Sequence, residues 1–257
     1  MNRRLADLTR PVLADAVSER SILIQPIGAI EQHGPHLPFS TDLVIPQRAA
    51  EALVDKHGDA LDLWLLPPIA YSKSNEHAWA PGTIWLSART LLSVIEDVGR
   101  SLATLPARKL VFLNGHGGNS ALLQVACREL RLQHGWMSFL MHPMVPPDQG
   151  GESAGSEDGM GIHGGHLETS LMMFLAPDLA APVEVAANLP SMLAGNRHVR
   201  FGGPVTFGWT SQDFGREGHI GDPSHASAEI GRSTFEAIVA NLAEAMSEVA
   251  RFQLPTG

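Results

Sequence analysis

Only one cysteine, Cys127, occurs in the 257 residues. An internal disulfide is therefore excluded, and a reducing compartment is the expected setting. Cys127 falls among Leu122, Leu123, Val125, Ala126 and Leu130, an apolar helical pattern that reads as a buried structural thiol. Basic charge is also scarce: 18 Lys and Arg against 27 Asp and Glu give a formal net charge of −9, which offers nucleic-acid phosphates no electrostatic footprint. The chain lacks any uninterrupted apolar run of about eighteen residues, so no membrane-spanning helix is expected. Met1-Asn2-Arg3-Arg4 lacks an apolar signal core, which makes the cytoplasm the expected location. No composition break, internal repeat or low-complexity tract divides the sequence. The expectation is one domain over residues 1–257, a common length for a single α/β unit.

What the sequence does contain is apolar strands that run into Gly-rich turns carrying His and acids. Ser21-Ile22-Leu23-Ile24-Gln25-Pro26-Ile27 suits a buried strand stopped by Pro and Gly. Glu31-Gln32-His33-Gly34-Pro35-His36-Leu37-Pro38 and Thr41-Asp42 follow it, at the strand end where open α/β sheets keep their ligands. Glu31 and His33 are two apart, so in extended backbone both side chains leave on the same side. Asp42 returns after a Gly/Pro-rich excursion. Carboxylate oxygen with imidazole nitrogen suits zinc, manganese or iron.

A second apolar run, Ala107 to Leu113, enters Asn114-Gly115-His116-Gly117-Gly118-Asn119 before a helical stretch from Ser120 to Leu132. Glycines flanking His116 let the backbone bend sharply and approach a ligand closely. The turn lacks both the Walker lysine and the GxGxxG spacing, which disfavours phosphate binding. The third segment is His163-Gly164-Gly165-His166-Leu167-Glu168-Thr169-Ser170. If a helix starts near His166, Glu168 lies in its first turn, where the helix dipole favours a negative charge. Taken singly, the three segments read as loop histidines and a helix-start carboxylate; together they are hard to assign to three unrelated caps. Helical patterns at Leu91–Leu105 and Ala226–Ala250, alternating with strands, favour a parallel sheet.

The segments EQHGPHLP with Thr41-Asp42, NGHGGN and HGGHLETS resemble the signatures of the creatininase family of metal-dependent amidohydrolases. Glu76-His77, Pro81-Gly82-Thr83 and Gly221-Asp222-Pro223 fit the same pattern. The resemblance implies a three-layer α/β/α sandwich with a mostly parallel sheet, binding two divalent metals (zinc, manganese or iron) within a homo-oligomer, a hexamer in creatininase-like proteins. By motif, Glu31 and His116 would bind one metal and His33 the other, with Asp42 bridging, while His163 would contact substrate and move protons. The implied reaction is hydrolysis of a small amide, lactam or formamide C–N bond by water activated between the metals. Alternatives at the same site are a lactone, a C–C bond next to a carbonyl, or a precursor peptide bond, and beyond them a non-catalytic metal-binding subunit.

Departures from that family narrow the reading. Creatininase has the pattern NGHYEN, whose glutamate is a metal ligand; here Gly117 and Gly118 stand instead. The second metal would then take a water or another ligand, Glu168 or His166, and Glu168 is favoured as the same chemical type, which would make it both ligand and catalytic-site residue. Family tryptophans that cover creatinine have no counterpart between Met141 and Ile162. This stretch reads as a long loop over the site and argues against creatinine as substrate. His142 reads as a strand-end histidine, and His77 as a substrate contact. Trp79, Trp85 and Trp209 read as core or subunit-interface residues, His219 and His225 as structural or interfacial, and His57, His134 and His198 as surface residues.

Overall fold

The computed structural model describes residues 2–145, 157, 159–180 and 184–255. Much of the expected long loop between Met141 and Ile162 therefore lies outside the described residues. Four strands, β1 (Ile22–Ile27), β2 (Leu63–Leu65), β3 (Lys109–Asn114) and β4 (Met137–Met141), form one sheet in the order β2-β1-β3-β4. Every neighbouring pair is parallel. The helices are α1 (Arg10–Ala16), α2 (Thr41–Leu61), α3 (Ala88–Leu102), α4 (Ser120–His134), α5 (His166–Leu175), α6 (Ser191–Ala194) and α7 (Ala228–Arg251).

The side-chain period of the strands explains the layering. Alternate residues of a strand face opposite sides of the sheet. Ile22, Ile24, Val111 and Leu113 pack on one side with Ile45, Ala49 and Leu53 of α2, Leu171 and Met172 of α5, and Ile238, Leu242 and Met246 of α7. Leu23, Leu110 and Phe112 pack on the other with Leu91 and Ile95 of α3, Leu123, Ala126 and Leu130 of α4, and the buried Trp64 and Trp136. Strands buried on both faces read as continuous apolar runs, as β1 and β3 do. The outcome is the expected three-layer sandwich around a parallel sheet. Lys109, at the start of β3, is buried and donates through Nζ to the carbonyls of Val249 (2.7 Å) and Ala250 (2.6 Å). It thereby satisfies the Ala250 carbonyl at the end of α7 and gives the Val249 carbonyl a second donor besides the Phe252 N–H at 3.3 Å.

The start of α2 is wedged against the carboxyl ends of β1 and β3. Pro46 lies inside α2 and has no N–H to offer the carbonyl of Asp42 four residues earlier. Gly28 and Gly115 abut that carbonyl, and a Cβ on either would overlap its oxygen. At Gly28 the added Cβ would also stand 2.6 Å from the Leu43 Cα and 2.8 Å from the Asp42 carbonyl carbon. These are backbone atoms that cannot rotate away. Gly28→Ala should therefore destabilise the fold by about 1–3 kcal/mol through overpacking, read as a lower midpoint in denaturant unfolding; an unchanged midpoint would show that α2 slides freely on the strand ends.

Candidate metal centre

The segment after β1 closes on itself, with Glu31 N–H donating to the Phe39 carbonyl at 3.0 Å. That closure returns the chain to Asp42 in the first turn of α2. His116 follows β3, and Glu168 lies in the first turn of α5. The two strand ends and two helix starts bring Glu31, His33, Asp42, His116, His163 and Glu168 into one cluster, as the sequence reading expects.

Asp42 lies at its centre. Its Oδ1 is 3.0 Å from His33 Nε2 and its Oδ2 2.8 Å from His116 Nδ1. Glu31 Oε2 is 3.3 Å from the same His116 nitrogen, and Glu168 Oε2 is 3.9 Å from His33 Nε2. Among the described residues, three groupings place possible ligand atoms within 4.8 Å of one another: Glu31, Asp42 and His116; His33, Asp42 and Glu168; and Glu31, His33 and His163. The first two share Asp42. Glu168 thus occupies ligand range; His166 is buried at the start of α5 and belongs to none of the three.

Each imidazole is oriented from behind. His33 Nδ1 donates to the Glu31 carbonyl (3.1 Å) and His116 Nε2 to the Lys73 carbonyl (2.8 Å). Such bonds fix the tautomer and aim the other nitrogen inward. Glu168 is held by the Gly164 N–H at 2.6 Å, and Glu31 Oε2 accepts from Ser74 Oγ. Glu31 Oε1 is buried with no hydrogen-bond partner among the described residues, although His77 Nε2 lies 3.3 Å away. Three carboxylates around two inward imidazole nitrogens, one oxygen unsatisfied, form a donor set that fits divalent zinc, manganese or iron.

The electrostatics agree. Burial disfavours the charged form of His33, but the Asp42 charge and hydrogen bond, with Glu168 and Glu31, overcome this and raise its pKa to about 10. His116, buried beside Glu31 and Asp42, is raised well above the ordinary histidine range for the same reason. Asp42 is lowered, its burial outweighed by both histidines. Desolvation, reinforced by Asp42 and Glu31 and opposed by His33, pushes Glu168 up to about 7. Its side chain keeps 27% of its surface toward the cavity. Against a burial cost, contacts with His116 and Lys73 bring Glu76 down to about 2.

His163 differs from the other two histidines. It lies between the tilted rings of His33 (4.0 Å) and His77 (4.2 Å), donates from Nε2 to the Gln32 carbonyl (2.6 Å), and points Nδ1 toward Glu31 Oε1 at 3.6 Å. Burial, then His33 and His77, lower its pKa well below the ordinary range, so it is neutral. Ile220 holds it by paired backbone bonds, His163 N–H to Ile220 O at 3.1 Å and Ile220 N–H to His163 O at 2.7 Å.

Two partners escaped the sequence reading. Gln32 Nε2 contacts His77 Nδ1 (2.8 Å), the Gly218 carbonyl (3.0 Å) and His163 Nε2 (3.2 Å); its place between Glu31 and His33 was the available signal. Ser74 carried no signal of its own. His36 is structural: its Nε2 lies 3.1 Å from the Gly164 carbonyl and 3.0 Å from Thr169 Oγ1, and burial with the neighbouring His219 lowers its pKa to about 4. His219 is buried, with Nε2 3.0 Å from the Ala186 carbonyl. Trp79 donates to Ser211 Oγ at 2.7 Å, and Trp85 is exposed. Trp209, expected in a core or interface more than as a substrate platform, packs with Phe201 and Phe214 and also lines the cavity of about 310 Å³ over the cluster. A second, mainly apolar cavity of about 440 Å³ adjoins the first at Gly115, Gly117 and Glu168 and runs between α5 and α7, past Ile45, Leu171 and Ile238. His142 lies on its wall, bonded to Ser120 Oγ at 3.0 Å.

The chain belongs to the creatininase family: residues 6–246 match the family model described as creatinine amidohydrolase. It is 36% identical over 245 residues to the mycofactocin precursor peptide peptidase of Mycobacterium ulcerans, covering 90% of this chain and 85% of that one. It is 32% identical over 176 residues to the creatinine amidohydrolase of Pseudomonas putida, covering 62% and 65%. Among solved structures, a mutant creatininase complexed with creatine superposes with a TM-score of 0.77 at 26% identity, covering 98% of this chain and all of that one. Solved creatininases include a Zn-Zn type and a manganese form, in keeping with a divalent metal cofactor.

Metal uptake should displace protons. With pKa values of about 10 for His33 and well above the ordinary range for His116, both are protonated in the metal-free protein at neutral pH. A ligand imidazole must be neutral. Loading with zinc at pH 7 should release about two protons per chain, measured by calorimetry in buffers of differing ionisation enthalpy. Both pKa values are raised, so proton competition weakens as pH climbs and apparent affinity should increase toward pH 10. Uptake without proton release would remove His33 and His116 from the ligand set.

Proposed function

We propose that this creatininase-family chain is a dinuclear metal-dependent hydrolase that cleaves an amide C–N bond in a precursor peptide. The observation that carries the reading is the single Asp42 carboxylate, whose two oxygens face His33 and His116 separately, as a bridge between two ions requires. Glu31 and His116 would hold one ion, and His33 and Glu168 the other. Ions bound there would polarise a carbonyl and bring the pKa of water toward neutrality.

The rest of the chemistry falls to the chain's own residues. His163 spends its Nε2 proton on the Gln32 carbonyl, so Nδ1 carries the lone pair. It takes a proton from the attacking water and returns it to the leaving nitrogen as the C–N bond breaks. The rings of His33 and His77 on either side hold its buried ring in place. Glu168 lines the cavity, so as a ligand it would hold its ion beside the substrate.

The peptide reading draws its support from the Mycobacterium ulcerans relative, which aligns over 90% of this chain, and from the 440 Å³ cavity beside Glu168, roomier than a small cyclic amide needs. A small amide, lactam or formamide is the second reading, supported by the likeness to the Pseudomonas putida enzyme. The proposal extends to one domain over 1–257, a cytoplasmic location and a homo-oligomer such as a hexamer. The exposed Tyr71, Ile84 and Trp85 offer that oligomer an apolar contact surface. No described helix is long and apolar enough to cross a membrane.

Metal-loaded protein assayed against short peptides should liberate new α-amines. Turnover of lactams or N-formyl compounds alone would select the second reading, and inertness toward both with zinc, manganese and iron would sink the hydrolase assignment. His163→Ala should retain its full metal content while kcat falls by about 10²–10⁴-fold. Loss of an ion from that variant would instead make His163 a ligand through its grouping with Glu31 and His33.

A further inference from the structure

Behind the cluster, His116 Nε2 meets two acceptors, the Lys73 carbonyl at 2.8 Å and Glu76 Oε1 at 3.3 Å. Glu76 is buried, and Lys73 Nζ binds its other oxygen at 2.9 Å. The carboxylate has room there because residue 118 is glycine: a Cβ on Gly118 would overlap both Glu76 Oε1 and His116 Nε2 and stand 3.0 Å from the Glu76 carboxyl carbon. Where Gly118 leaves an apparent gap, an acid from a different loop fills the space.

We infer that Glu76 is a positioning residue of the metal centre, placing a negative charge on the outer nitrogen of His116 so that the inner nitrogen binds its ion more strongly. The inference rests on the metal-centre reading above. The Lys73 carbonyl alone suffices to fix the ring's tautomer; what Glu76 adds is charge, which makes the imidazole a better electron donor to a cation on its far side. The Lys73 ammonium holds the carboxylate in place without reaching the ligands. A glutamate side chain at 118 and the observed Glu76 conformation are mutually exclusive, so this chain has an outer carboxylate where a relative with glutamate there has an inner one.

The test compares Glu76→Gln, which keeps the shape and removes the charge, with Glu76→Ala. Zinc affinity is measured by chelator competition, and the environment of His116 by the visible spectrum of protein loaded with cobalt(II). Glu76→Ala should weaken one ion by about 10–100-fold, the range for loss of an outer partner. Glu76→Gln should fall between it and the parent, with shifted cobalt bands in both variants and little change in the melting temperature of the metal-free protein. Parent-like affinity in Glu76→Ala would overturn the inference. Full affinity in Glu76→Gln with loss in Glu76→Ala would overturn the role of charge. If Glu76→Ala fails to fold, the isosteric variant decides alone. A parent protein that takes up no divalent ion would sink the metal-centre reading itself, a separate failure.

Discussion

Three carboxylates, Glu31, Asp42 and Glu168, converge where water is nearly excluded, and the surrounding structure answers that one constraint. Like charges brought together out of water repel strongly and must be compensated or neutralised. Without an ion, the chain compensates by charging His33 and His116 and by holding Glu168 near its titration point. A divalent cation is a more concentrated compensator, and every outward-facing atom of the two imidazoles already has a partner that keeps the inward one available. Burial, which the Asp42, Glu168 and Glu31 charges overcome at His33, prevails at His163, where His33 and His77 add to it. Neighbouring histidines of one cluster thus carry opposite protonation.

The scaffold brings these groups together with very little chain. The cluster draws on the ends of β1 and β3 and the first turns of α2 and α5. A carboxylate in the first turn of a helix is favoured by the dipole, so Asp42 and Glu168 are placed where fold stability and metal binding ask for the same residue type. The helix-start and ligand accounts of Glu168 do not compete: it lies in the first turn of α5 and also within ligand range of His33 and Asp42.

Legibility from sequence followed the range of the interactions. β1, β3, α3, α4 and α7 were readable from local period, with ends displaced by only a few residues, whereas α2 and β2 were not singled out. Glu31, His33, Asp42, His116, His163 and Glu168 were readable because acid, imidazole and glycine at element ends are locally conspicuous. Gln32 was not, because its role depends on meeting Gly218 from a distant part of the chain. The most instructive difference is at Gly118. In sequence it is a ligand lost; in space it is a vacancy taken by Glu76, and no local pattern couples positions 76 and 118. Trp209 likewise shows two environments at once, aromatic packing on one side and the cavity on the other.

Lys109 gives β3 a further meaning. The strand begins at the lysine that binds the terminal carbonyls of α7 and ends beside His116. Six residues of strand span about 20 Å, and twenty-four residues of helix about 36 Å. β3 is therefore a ruler: it fixes the foot of α7 at one end of the sheet and the candidate metal centre at the other. The stretch of α7 near Ile238 then falls at a set height along the second cavity. The length of a helix far along the chain from the ligands thus calibrates how deep that chamber is.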